Sequence, residues 1–262
     1  MQPLIQIFIA PAKKMQALDD SPAPAALPRF NEEAKALARA LSKLSLAELM
    51  QLYKCSASIA AQNFERLQHF KADNLALLTP ALFAYQGIQY QYMSAKVLTS
   101  TDYAYLQQHL FILSGLYGLL RPLDGVSPYR LEMQAKFAFE GAKDLYAFWQ
   151  DKVRKALCQL QQETGRELVL LDLTSAEYSR VLPSDFTTIK VRFCVGSKGK
   201  LLERGTLCKM ARGAMVQYLA RSQAESLEVL PGFAGLDFQY SPEHSSAELY
   251  TFIQQPQRAK AD

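Results

Sequence analysis

The sequence predicts a mixed α/β (α+β) fold: one compact domain over residues 1–262, with a central, mostly mixed sheet and surrounding helices. Three observations predict it. Short aliphatic and β-branched runs alternate with amphipathic stretches, but without a regular strand-helix-strand repeat. No internal repeat, low-complexity tract or interdomain linker divides the 262 residues, a length at which one large core still forms. Hydrophobic residues make up 49% of the chain and charged residues 21%, enough apolar surface to offset the conformational entropy of ordering it.

The elements follow in order. Leu4 to Ile9 is a buried strand stopped by Pro11, which leaves Lys13 just beyond the strand end. Pro22, Pro24 and Pro28 make the segment from 16 to 30 an extended loop. Ala34, Leu37, Ala38, Leu41 and Leu44 recur at helical steps, with Asn31 placed to cap the first turn. Ser45 and Glu48 form a capping box for a second helix, because each side chain satisfies the other's free amide. A third helix runs from Ser58 to Phe70. The pair joined by Tyr53 to Ala57 is compatible with a helix-hairpin-helix; lacking the usual glycines, it reads more readily as simple antiparallel packing.

Thr79-Pro80 opens another helix, and Thr101-Asp102 opens the next, which leads into an apolar strand from Leu110 to Leu113. Gly115 and Gly118 then permit tight turns or close backbone approach. Asp144 to Gln162 is an amphipathic helix ended by Gly165, and Glu167 to Leu173 a buried strand. Thr174 to Leu182 reads as a helix whose capping box pairs Thr174 with Glu177. Thr187 to Val195 alternates as a strand, Gly196 to Gly199 as a turn, and Lys200 to Leu207 as the returning hairpin strand. A helix over Cys208 to Ser222 puts Lys209 and Arg212 on one face, and short strands follow at Leu236 to Tyr240 and Leu249 to Ile253.

The net charge of +4 is modest, but its distribution is uneven. Between Lys190 and Arg212 stand Lys190, Arg192, Lys198, Lys200, Arg204, Lys209 and Arg212 against one acid, Glu203. Phosphate loops, dinucleotide fingerprints, nucleophile elbows and the H-E-x-x-H zinc motif are missing. Cys55, Cys158, Cys194 and Cys208 show no ligand spacing with His69, His109 or His244, so reduced, mostly buried cysteines and no metal or cofactor are expected. No secretory signal or spanning segment is apparent, so the expectation is a cytoplasmic protein without membrane contact.

The run LSGLYGLLRPLD from Leu113 to Asp124, followed by PYRLEM from Pro128 to Met133, resembles the signature of the YaaA family of bacterial peroxide-stress resistance proteins. IAPAK at Ile9 to Lys13, YQGIQY at Tyr85 to Tyr90, KDLYAFW at Lys143 to Trp149, DLTSAEY at Asp172 to Tyr178 and KMARGAM at Lys209 to Met215 agree in order. The resemblance implies a protein of oxidative stress, linked to limiting iron and peroxide damage, that binds duplex and distorted DNA. It also implies a positively charged cleft and a helix-hairpin-helix element, which falls here on Ser45 to Arg66. This chain departs from the family in that hairpin, where Tyr53-Lys54-Cys55-Ser56 stands and Lys54 is one position displaced, and at Asp172 and Ala10.

Lysine and arginine in such a cleft bind phosphates by releasing condensed counterions. The candidate DNA-binding residues are Lys13, Lys54, Arg121, Arg130, Lys209 and Arg212. The competing role for Arg121 is an ion pair with Asp124, and for Arg130 a pair with Glu132. The alternative to a DNA-binding protein is an enzyme acting on a nucleotide or nucleic acid, with Ser175, Glu177 and Tyr178 as its catalytic candidates beside the same cations. Direct iron or peroxide chemistry is disfavoured by the scattered cysteines and histidines.

Overall fold

The computed structural model describes residues 2–197 and 200–255. Strands β1 (Leu4–Ile9) and β2 (Lys14–Met15) precede helices α1 (Asn31–Leu41), α2 (Leu46–Tyr53) and α3 (Ala57–Gln68). Then come β3 (Thr79–Pro80), α4 (Ala81–Ala84), β4 (Tyr85–Gln86), α5 (Ile88–Met93) and α6 (Ser100–His109). Strands β5 (Leu110–Ser114), β6 (Gly118–Leu120) and β7 (Gly125–Val126) lead to α7 (Leu145–Thr164), β8 (Leu168–Leu173) and α8 (Ala176–Ser179). The chain continues through β9 (Thr187–Ser197), β10 (Lys200–Leu202), α9 (Gly205–Arg221), β11 (Phe238–Tyr240) and β12 (Leu249–Gln254).

The main sheet has the order β11-β12-β9-β8-β1-β5-β6, with β10 paired to the end of β9. Strands β12, β9, β8, β1 and β5 are parallel, and antiparallel β11, β6 and β10 complete a mixed sheet. Parallel strands covered on both faces require nearly continuous apolar sequence, as LIQIFI in β1 and LVLLDL in β8 provide. Their polar members are both buried and bonded: Gln6 donates to Gln108 O at 3.0 Å, and Asp172 braces the loop after β8. From β1 the chain crosses to β5 on one side, then returns to β8 on the other. The crossover direction therefore reverses between β1 and β8, the place where open α/β sheets leave a crevice at their carboxyl ends.

Two close approaches set the walls of that crevice. A Cβ on Gly115 would lie 2.4 Å from Leu131 O, so the turn after β5 packs directly on the segment 128–133. Trp149, fully buried on α7, donates its indole N–H to Gly115 O at 2.9 Å and locks the same turn. On the other side, a Cβ on Gly213 would lie 2.0 Å from Gln89 O, which brings α9 against α5.

Several boundaries differ from the sequence expectation. Asn31 does not cap α1; Phe30 holds the cap position, and the Asn31 amide reaches across to Ala72 O at 3.0 Å. Thr79-Pro80 pairs as a strand with β7 before the helix begins, because Thr79 and Pro80 are buried against Val126 and Gly125. The capping box of α6 is Thr99 with Asp102, two residues before the expected start. The returning hairpin strand is only Lys200–Leu202, since α9 starts at Gly205; Lys198 and Gly199 of the expected turn lie outside the described residues. Cys194 and Cys208 are buried and burial pushes both thiols up, whereas Cys55 and Cys158 are only half-buried.

Candidate functional site

A cleft of about 420 Å³ opens at the carboxyl ends of β1 and β8. Its walls come from the loop Ala10–Lys14 after β1, the start of α5, the segment 129–132, the start of α8, and Lys209 and Arg212 on α9. Of the sequence candidates, Lys13, Arg130, Lys209, Arg212, Ser175, Glu177 and Tyr178 all line it. Residues up to 199 positions apart in sequence, Lys13 and Arg212, thus converge because two strand ends, one turn and one helix meet there.

The floor is a tyrosine network. Ser114 Oγ accepts the Leu116 and Tyr117 amides at 3.2 and 2.8 Å, so its own proton goes to the Tyr129 hydroxyl at 2.6 Å. The Tyr129 hydroxyl also shares a hydrogen bond with the Tyr85 hydroxyl at 2.8 Å, and Tyr90 donates to Ala10 O at 3.1 Å. Burial pushes Tyr129 up to about 12 and raises Tyr85, Tyr90 and Tyr178 well above the ordinary tyrosine range. These phenols stay neutral, and of them Tyr90, Tyr129 and Tyr178 line the cleft as a polar-edged floor.

Glu132 organises one wall. Its Oε1 receives both Lys13 Nζ at 3.1 Å and Arg130 Nη2 at 3.0 Å. Arg130 also donates to Tyr53 O at 3.3 Å, tying the end of α2 to the cleft. The pairing of Arg130 with Glu132 is therefore present, and the arginine is mostly buried, with 12% of its side chain exposed. Lys13 keeps 64% of its side chain exposed.

Glu177 is not part of a capping box, contrary to the sequence reading. The helix begins one residue later than expected, with Ser175 at its cap position, and Thr174 is turned toward Asp172. Asp172 accepts the Thr174 amide at 2.8 Å and hydroxyl at 2.6 Å, and Ser179 Oγ at 2.5 Å, which consumes Thr174 in bracing the loop. Glu177 instead accepts the Gln134 amide at 3.1 Å. Burial, with Glu132 nearby, raises its carboxyl above the usual range.

Arg212 is half-buried, and its Nε, within the wall, has no hydrogen-bond partner. The amide Nε2 of Gln89, on the facing helix, is also buried and unpartnered. Gln89, Tyr90 and Tyr129 were not singled out from sequence. They lie inside the motifs YQGIQY and PYRLEM, but nothing local marks them as facing a cleft.

Two candidates lie elsewhere. Arg121 is at the opposite end of the sheet: its Nη1 donates to Gln6, Gln108 O and Leu110 O, and its guanidinium lies 3.6 Å over the Phe111 ring. It is not an ion pair with Asp124 in the side-chain sense, since Asp124 accepts the Arg121 backbone amide at 2.8 Å. Lys54 ends α2 in the left-handed conformation, φ 47°, and lines a neighbouring depression of about 520 Å³. That depression shares Lys13 and Glu132 with the cleft. Among the described residues, no cluster of three or more His, Cys, Asp or Glu is arranged to hold a metal.

A family model described as peroxide stress protein YaaA matches residues 5–244. The chain belongs to that family. A UPF0246 protein of Desulfitobacterium hafniense is 39% identical over 253 residues, covering 95% of this chain and 98% of its own. A UPF0246 protein of Lactiplantibacillus plantarum is 40% identical over 256 residues, 96% of this chain and 100% of its own. The signature runs used above all fall within the matched span, and the cleft is built almost entirely from them. No described helix is long and apolar enough to cross a membrane.

Proposed function

We propose that this member of the peroxide-stress family binds DNA without regard to sequence, through the cleft and the adjoining α2–α3 turn, and thereby limits iron- and peroxide-derived damage. The observation that carries this reading is the charge of the cleft lining: Lys13, Lys14, Arg130, Lys209 and Arg212 against Glu132 and Glu177. Cations also continue outward, since Lys13, Lys54 and Lys136 border the neighbouring depression. In this reading α2 and α3 act as a helix-hairpin-helix, with Lys54 at the phosphate. Arg130 is held by Glu132 and acts by positioning, and Arg121 takes no part.

The test is fluorescence anisotropy of labelled duplex and bubble DNA across a salt series. Micromolar or tighter binding at low salt is expected, with a log–log salt slope of roughly −3 to −5 for about four to six neutralised phosphates. Reversing Lys209 and Arg212 to Glu together should weaken binding at least tenfold. Binding absent at low salt, or equal in the double variant, sinks the proposal.

One observation favours a second reading, an enzyme acting on a nucleotide or nucleic acid: the raised carboxyl of Glu177 beside Ser175 and Tyr178 suits a general acid. Product formation from bubble DNA or a nucleoside triphosphate by wild type, lost in Glu177→Gln with the melting temperature retained, would establish it.

A further inference from the structure

The size of the cleft limits what enters it. About 420 Å³ is room for one small molecule. The major groove alone of a duplex is about 12 Å wide. A double helix therefore stays at the rim, and only a unit the size of one nucleotide reaches the floor.

The interior is furnished for such a unit. Gln89 is 7% exposed, lines the cleft, and leaves its amide Nε2 without an acceptor. A buried amide in that state is costly unless a ligand completes it. Arg212, whose Nε is equally unpartnered, lines the same cleft, and its neighbour Gly213 packs closely on Gln89 O. Glu177 supplies an acceptor in the same cleft, and Tyr90, Tyr129 and Leu131 supply an apolar floor with rings. A donor and an acceptor above an apolar surface match the Watson–Crick edge of a base, which carries both kinds of group.

We propose that the cleft receives one unstacked nucleotide, its base on the tyrosine floor with its edge at Gln89 and Glu177, and its phosphate at Lys209 and Arg212. The DNA reading above supplies the source of that nucleotide. Capture is favoured where pairing is already broken, since unstacking then costs least. A bubble or mismatch should accordingly bind more tightly than a perfect duplex.

The test uses duplexes carrying 2-aminopurine, whose emission rises on unstacking, placed opposite thymine or in a mismatch. At saturating protein, checked by anisotropy, the mismatched probe should brighten severalfold. Gln89→Leu, which keeps the volume and removes the amide, and Ser175→Phe, which fills the opening, should each suppress the rise; melting curves show whether each is folded, and either one suffices. Binding by anisotropy without brightening, or brightening that survives both folded variants, overturns the pocket assignment and leaves the DNA reading standing. No binding at low salt overturns the DNA reading instead. Calorimetric titration with dAMP then decides: saturable binding suppressed by Gln89→Leu retains the cleft as a nucleotide site, and no binding removes it.

Discussion

Two arginines at opposite ends of the sheet show how the same side chain is put to different use. Arg121, at the amino end, is finished by the fold: three acceptors and an aromatic face satisfy it, and burial lowers it to about 10. Arg212, at the carboxyl end, keeps a buried Nε without a partner, in a cleft that also holds an unpartnered Gln89 amide. A donor left unmatched inside a protein costs more than one satisfied by design. At the amino end the fold thus satisfies its arginine, whereas at the carboxyl end it leaves donors unmatched in the cleft. That contrast agrees with the general placement of ligand crevices at the carboxyl ends of parallel strands.

The comparison breaks most visibly if the α5–α9 contact is not what holds the carboxyl end. Gly213→Ala forces a Cβ to within 2.0 Å of Gln89 O and should destabilise the protein by at least about 3 kcal/mol, measured by urea unfolding. A loss below about 1 kcal/mol would mean that the helices separate freely. At the amino end, Arg121→Met removes the donor to Gln6 Oε1 and Leu110 O, while Gln108 O keeps the Gln6 amide, and should cost roughly 2 kcal/mol while leaving DNA affinity within about twofold. A large loss of affinity with stability intact would erase the distinction between the two ends.

A third prediction concerns pH at the amino end. Burial raises Asp124 from 3.8 to about 7. A carboxyl raised in the folded state holds its proton more tightly there than when unfolded, so its stabilisation is full below about pH 4 and is lost as pH rises through 7. Asp124→Asn keeps an acceptor for the Arg121 amide, removes the titration, and should gain roughly 1–3 kcal/mol on wild type between pH 5 and pH 8. Parallel stability curves for the two proteins would refute it. The smallest effect belongs to the cleft: Glu177→Gln preserves the bond from the Gln134 backbone amide but replaces an acidic side chain of the cleft lining by a neutral one, so affinity for fully paired duplex at pH 7 should rise about two- to fivefold. An unchanged or weaker affinity would show that Glu177 does not face the DNA.

Much of the local structure was legible. The Ser45–Glu48 box caps α2 as expected, Gly165 ends α7 with φ 63°, and β1 and β8 follow their apolar runs. Such features depend on neighbours within four residues, which the sequence displays directly. Glu177 was misread for the same reason in reverse. The T-x-x-E spacing is local, but Asp172 captures Thr174 first, and Gln134, 43 residues away, captures Glu177.

The sequence by itself determined the family through its ordered motifs, the mixed α/β class, and the residue types from which a charged cleft is assembled. Only the tertiary structure decided which charges meet. It brought Lys13, Arg130, Lys209 and Arg212 to one opening, sent Arg121 to the opposite end of the sheet, and added Gln89 and the tyrosine floor. The physical reason is that a side chain's role depends on whether the fold supplies it with partners. Those partners stand tens to hundreds of residues away and are fixed by strand order and by two glycine contacts, at Gly115 and Gly213.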